Sequence, residues 1–210
     1  MNLYKPNRRN EKNKRTSLNK RDQSLSPRTP NERQNSNNQN GSNDLNRTGI
    51  IGNWIVAIGS IVSAIGTTPS TIFTKQTLND FHIIGHILEG SGIALASESE
   101  DTLLYTVGDQ LQAIGNITVV AGLLSANEQT NRLLERQGNL LQVVGLGLVI
   151  DTNGNLTLLQ TLYNTGIIIQ LIGTTIITVA NEETKEGEEM IAIGSWIKVV
   201  GAIITALATN

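Results

Sequence analysis

The chain of 210 residues contains no cysteine, only two histidines and few aromatic residues, 3% of the total. Without cysteine it can form neither a disulfide nor a thiolate metal site, and cysteine usage says nothing about its redox compartment. The phosphate-loop pattern GxxxxGKS or GxxxxGKT is missing, and Gly145-Leu-Gly147 lacks the third glycine of a dinucleotide loop. The sequence therefore predicts a protein that is not an enzyme, with no catalytic residues and no cofactor.

Glycine, in contrast, is abundant and regularly placed. Two glycines seven residues apart enclose an apolar run, and this phrase occurs six times, starting about every 28 residues. The paired glycines are Gly52 and Gly59, Gly85 and Gly92, Gly108 and Gly115, Gly138 and Gly145, Gly166 and Gly173, and Gly194 and Gly201. Seven residues fall about 20° short of two helical turns, so both glycines of a phrase lie on one helix face. The run between them is apolar at odd and even positions alike, which is not the alternation of a half-buried strand.

Glycine inside a helix costs roughly 1 kcal/mol relative to alanine, so twelve such positions need a compensating interaction. Close approach of two helix backbones is such an interaction. The phrase therefore predicts an all-α fold of about six antiparallel helices with glycine seams, arranged as a bundle or a short helical solenoid. A β-solenoid with glycines at its turns is the alternative.

Charge divides the chain into two predicted domains. Residues 1–48 carry eleven of the sixteen basic residues and a net charge of +7, whereas residues 49–210 carry −9. The first segment is rich in Asn, Arg and Lys and too polar to bury a core, so it is predicted to be a disordered basic tail. The second is predicted to be the helical repeat domain, with its first helix starting near Thr48 and its last joint running from Asn181 to Gly187.

A polar residue occupies the fifth position of most phrases: Glu89, Gln112, Gln142, Gln170 and Lys198, with Val56 as the exception. We interpret these residues as a polar edge or a ladder between neighbouring helices. His82, His86 and Glu89 share one face of the second helix and are the candidate metal ligands. Since zinc needs further ligands, two structural histidines are the simpler interpretation.

Two functional classes remain open. Helices that are apolar nearly all round are either buried or membrane-spanning. The polar residue within most phrases and the lack of alternating basic loops favour a protein that is soluble or self-assembled. The sequence thus predicts a structural protein whose main partner is itself, with a membrane-embedded or membrane-active helical protein as the alternative. The basic tail is either a contact for an anionic surface or simply a solvating segment, and nucleic acid is not expected as a partner.

The phrase Gly52-Asn-Trp-Ile-Val-Ala-Ile-Gly59 and its copies resemble a family of uncharacterised glycine-heptad repetitive proteins from spore-forming bacteria of the Bacillus group. The resemblance covers about residues 49–210. It implies a location in the cytoplasm of the sporulating cell or on the spore, in agreement with the absence of a signal-peptide pattern. It implies no active-site residues.

Overall fold

The computed structural model describes residues 30–99, 102–152 and 154–209, with side chains from Arg47 onward. This part of the chain forms six α-helices and no strand, as predicted. They are α1 (Pro30–Thr67), α2 (Lys75–Ala96), α3 (Leu103–Leu123), α4 (Glu128–Leu148), α5 (Leu158–Val179) and α6 (Lys185–Ala208), with a 3-10 turn at Ser97–Ser99 after α2.

Helix α1 begins at Pro30, upstream of the predicted start near Thr48. Proline is favoured at the first position of a helix because its missing N–H would be unpaired there anyway. Residues 1–29 lie outside the described residues, so their disorder stays a prediction. The chain divides into two compact units, Met1–Asn43 and Asp44–Asn210, and the six-helix bundle described below is the second unit.

Side-chain caps fix the starts of four helices. Thr74, Asn127 and Thr157 each accept a hydrogen bond from the backbone N–H three residues on, at the beginnings of α2, α4 and α5. Thr184 accepts in the same way from Gly187, so α6 begins at Lys185 inside the predicted joint. The prediction that this joint extends to Gly187 is wrong, because the Thr184 cap starts the helix directly after it.

Glycine seams join the helices into three antiparallel hairpins, α1 with α2, α3 with α4 and α5 with α6. A methyl group added at Gly115 would lie 2.6 Å from the carbonyl oxygen of Gly138 in the facing helix. Gly173 and Gly194 face each other in the same way across α5 and α6, at 2.6 Å. These approaches are possible only without a side chain, and they repeat along each hairpin. The structural repeat is therefore the pair of helices rather than the single helix.

The three hairpins close into a bundle. His86 of the first hairpin contacts Asn116 of the second, and Leu146 of the second packs on Ile167 of the third. The third hairpin returns to the first, where Trp196 Nε1 donates a hydrogen bond to Thr68 Oγ1. The sequence allowed either a bundle or a short helical solenoid, and these contacts show a bundle.

The interior of the bundle combines polar side chains with small apolar ones, whereas large apolar side chains lie on its outside. The residue after each of the twelve phrase glycines faces the interior: eleven are buried, and Asn53 is partly so. Those that are buried and polar are Ser60, His86, Asp109, Asn116, Asn139, Thr174 and Ser195. The buried apolar residues are mainly small, and large apolar side chains are exposed on every helix.

Candidate functional site

At the centre of the bundle lies a buried ion pair with a hydrogen bond to a third side chain. The three residues come from the second helices of the three hairpins. Lys198 Nζ of α6 lies 2.5 Å from Glu89 Oε2 of α2 and 3.0 Å from Gln142 Oε1 of α4. All three residues occupy the fifth position of their phrases and are at least nine-tenths buried. They meet because each hairpin presents the same face of its second helix to the interior.

The equivalent residues of the first helices make hydrogen bonds within their own hairpins. Gln170 Nε2 donates to Thr205 Oγ1 at 3.0 Å, and Gln112 Nε2 donates to Asp109 Oδ1 at 3.2 Å. The sequence predicted a ladder of contacts between the polar fifth-position residues. Among these residues, only Glu89, Gln142 and Lys198 contact one another between hairpins.

A chain of hydrogen bonds fixes the protons on the two histidines. Asn116 Nδ2 donates to the carbonyl oxygen of Gln112, which leaves Asn116 Oδ1 as the acceptor facing His86 Nδ1 at 2.7 Å. His86 Nδ1 therefore carries a proton and its Nε2 accepts. The remaining contact, 3.1 Å between the two Nε2 atoms, requires His82 to donate and leaves its Nδ1 as an acceptor.

The structure brings the predicted metal candidates together: His82 and His86 are hydrogen-bonded to each other, and His86 Nδ1 lies 3.7 Å from Glu89 Oε2. In the part of the chain that is described, no cluster of three or more His, Asp or Glu side chains is arranged to hold a metal. His82 Nε2 donates a hydrogen bond to His86 Nε2, and Glu89 Oε2 accepts one from Lys198. Their arrangement is that of a polar network.

A cavity of about 460 Å³ leads to this network. The Ser60, His82, His86 and Glu89 side chains line its inner part, which we call the cavity floor. The first turns of α4 and the segment from Ala180 to Glu183 line its outer part, the cavity mouth. The mouth therefore lies at the end of the bundle that carries the α5–α6 connection.

Charged side chains of both signs surround the cavity mouth. Arg132 forms an ion pair with Glu183 and lies 3.7 Å from Glu128. Burial, reinforced by Glu182, raises the pKa of Glu135 to about 8, so this carboxyl is mostly protonated at neutral pH. Burial also raises the pKa of Glu182, although Arg132 and Arg136 oppose the shift.

Two buried polar atoms of the cavity floor have no hydrogen-bond partner, Ser60 Oγ and Glu89 Oε1. Both residues are only 1% exposed. The nearby hydroxyls differ, because Ser195 and Thr178 donate to the carbonyl oxygens of Ile191 and Thr174 in their own helices. Buried polar groups are normally paired, so the two unpaired atoms mark the floor as the candidate functional site.

Sequence reasoning identified His82, His86, Glu89 and Lys198 but missed Ser60, Asn116 and Asn139. The missed residues share one signal, a polar residue directly after a phrase glycine. A glycine at a seam faces its partner helix, and the next residue along the helix points about 100° away from it, towards the bundle interior.

The family comparison covers the whole bundle. Residues 47–206 match the model of a family of unknown function, DUF6944, and the chain belongs to that family. No curated protein and no solved structure matches the chain significantly.

Proposed function

We propose that this protein is a non-enzymatic membrane-embedded helical bundle, with its apolar outer surface in contact with lipid and its polar residues enclosed. The observation that carries the proposal is the inverted polarity of the bundle. The ion pair between Glu89 and Lys198 is buried at its centre, whereas large aliphatic side chains on its outside are about half exposed. In water, burial of the two charged groups would cost desolvation free energy. Exposure of the large apolar side chains would forgo the free energy that their burial provides.

The exposed apolar side chains belong to all six helices. Pairs of them on successive helices are Ile51 and Ile58, Ile84 and Ile87, Ile114 and Ile117, Leu140 and Val144, Ile168 and Ile172, and Ile193 and Val200. A docking site for one protein partner would be a single patch. An apolar surface that surrounds the bundle fits a solvent that is itself apolar.

The distribution of charge supports the same conclusion. In residues 48–67, 81–96, 103–123, 137–148, 158–179 and 190–208, the only charged side chains are Glu89, Asp109 and Lys198, and all three are buried. From Arg47 onward, the other described charges lie in the connections, in the first turns of α2, α4 and α6, or, for Arg47, directly before the first of these segments. Ionisable residues in membrane segments characteristically face the bundle interior in this way.

Three of the six helices in the described part of the chain contain a segment long and apolar enough to cross a membrane by length and composition: Arg47–Thr67, Leu158–Val179 and Lys185–Ala208. A helix of 22 residues is about 33 Å long, and the hydrocarbon core of a bilayer is about 30 Å thick. Helix α3 is less apolar because of four polar residues. Asp109, Gln112 and Asn116 are enclosed by the bundle, and Gln110 is exposed.

Membrane association can be tested in cells that express the full chain. We expect the protein to sediment with membranes, to resist extraction by alkaline carbonate and to dissolve in detergent. In liposomes, the exposed Trp54 and Trp196 should be quenched by lipids brominated on their acyl chains. Recovery of a monodisperse monomer without detergent, with no binding to liposomes, would refute the proposal.

Self-assembly in water, the first interpretation of the sequence, is the second candidate. The same exposed apolar surface supports it, because copies of the chain could cover it for one another. This candidate would be a structural homo-oligomer in the cytoplasm of the sporulating cell or on the spore. Large homogeneous particles in detergent-free buffer, seen by size-exclusion chromatography and negative-stain imaging, would favour it over the membrane proposal.

A further inference from the structure

We propose that the cavity is a binding site for a small uncharged polyol, whose hydroxyl groups bind Glu89 and Ser60 at the cavity floor. The proposal depends on the interior of the bundle and holds whether lipid or other copies of the chain cover the outside.

The first argument is the two unpaired atoms. Glu89 uses Oε2 to pair with Lys198 and leaves Oε1, a buried carboxylate oxygen, without a donor. Ser60 Oγ lacks a partner as well. An unpaired buried polar group is costly, so a ligand that supplies the missing hydrogen bonds gains affinity at these atoms. A hydroxyl group suits both, because it can donate to Glu89 and either donate to or accept from Ser60.

The second argument is that the lining is rich in acceptors. The Ser195 and Thr178 hydroxyls donate hydrogen bonds to helix carbonyl oxygens, so only their oxygen lone pairs remain for a ligand in the cavity. The hydrogen-bond chain described above leaves His82 Nδ1 as a further acceptor. A ligand with several donors is complementary to this surface, and a polyol carries one on each carbon.

The third argument is charge. At the cavity floor, Lys198 would repel a cation and Glu89 would repel an anion, and the two are already paired with each other. At the cavity mouth, Arg132 is paired with Glu183, and Arg136 interacts with the carboxyl group of Glu182. Neither sign of charge is left in clear excess along the cavity. Its volume of about 460 Å³ lies in the usual range for small-molecule sites, about 300–1,000 Å³.

The test uses the full chain purified in a detergent without a sugar headgroup, with sorbitol as the probe. Isothermal titration and saturation-transfer NMR should detect sorbitol binding but no binding of tetramethylammonium or acetate. Ser60→Ala removes one hydrogen-bonding group and breaks no bond within the protein, and should weaken sorbitol binding about three- to tenfold. Ser91→Ala is the matched control, because Ser91 is exposed on α2, and it should bind like the unmodified protein.

The double substitution Glu89→Gln with Lys198→Met removes both charges together, so no uncompensated charge stays buried. It should lower the affinity by at least the same factor while the helical circular-dichroism signal is kept. Absence of sorbitol binding to the unmodified chain would overturn the proposal. Equal binding of acetate or tetramethylammonium would also overturn it, as would sorbitol binding that neither Ser60→Ala nor the double substitution weakens.

Discussion

The glycine seams predict opposite effects for the same substitution at two sites on one helix. A methyl group added at Gly145 would lie 2.6 Å from Gln112 Cγ and 2.9 Å from its backbone nitrogen on α3. At Gly147, two residues further along α4, it would meet nothing within 4 Å. Gly145→Ala should therefore destabilise the bundle, and Gly147→Ala should stabilise it.

The magnitudes follow from two opposing terms. Alanine improves helix propensity at either site by up to about 1 kcal/mol. At Gly145 the facing atoms include backbone, which cannot rotate away, so the overpacking cost should reach the upper part of its usual range of about 1–3 kcal/mol. We expect a net loss of roughly 2 kcal/mol there, or about 4–8 °C in Tm for a domain of this size.

Thermal denaturation followed by circular dichroism measures the difference. Gly115→Ala and Gly173→Ala should behave like Gly145→Ala, because each faces the carbonyl oxygen of a partner glycine at 2.6 Å. Gly145→Leu should cost more than Gly145→Ala, since the larger side chain must separate the two helices further. Stabilisation by alanine at all three seam sites would refute the packing described here.

Three further predictions concern charge and the first unit of the chain. Lys198→Met should destabilise the protein by about 3–5 kcal/mol in denaturant unfolding, because it leaves Glu89 buried and unpaired, and adding Glu89→Gln should restore much of the loss; equal stability of the single and double variants would contradict this. Burial raises the pKa of Glu135 from 4.5 to about 8, so the folded state holds this proton more tightly than the unfolded state. Stability should therefore fall as the pH rises from about 4.5 to about 8, and Glu135→Gln should weaken that dependence in pH-resolved melts; an unchanged slope would contradict the assignment. Deletion of residues 1–43, the first compact unit, should leave the melting of the bundle unchanged, whereas a lower Tm would show that this segment stabilises it.

The sequence predicted the helices and their seams well because both depend on local spacing. Seven-residue spacing places Gly138 and Gly145 on one face of α4 whatever that helix packs against. The contacts that build the site depend instead on how the hairpins close. Glu89 and Lys198 are 109 residues apart, and His86 and Asn116 are 30 apart. Periodicity can show which residues of one helix share a face. It cannot show which other helix packs against that face.

The sequence-based preference for a soluble or self-assembled protein and the membrane proposal differ in how they treat the polar residue of most phrases. Counting the polar residue of most phrases as evidence against a membrane span assumes that every residue of a helix meets the solvent. In the bundle, Gln112, Gln142 and Gln170 are all at least nine-tenths buried, while exposed neighbours such as Ile114, Val144 and Ile172 are apolar. Lipid would meet the second set and never the first. Mean hydropathy along the chain averages the two faces, so it underestimates how apolar the outer surface of each helix is. The quantity that bears on membrane insertion is the polarity of the exposed face alone. On that face α3 and α4 resemble α5 and α6 at the seventh phrase position, where Ile114, Val144, Ile172 and Val200 are each about half exposed.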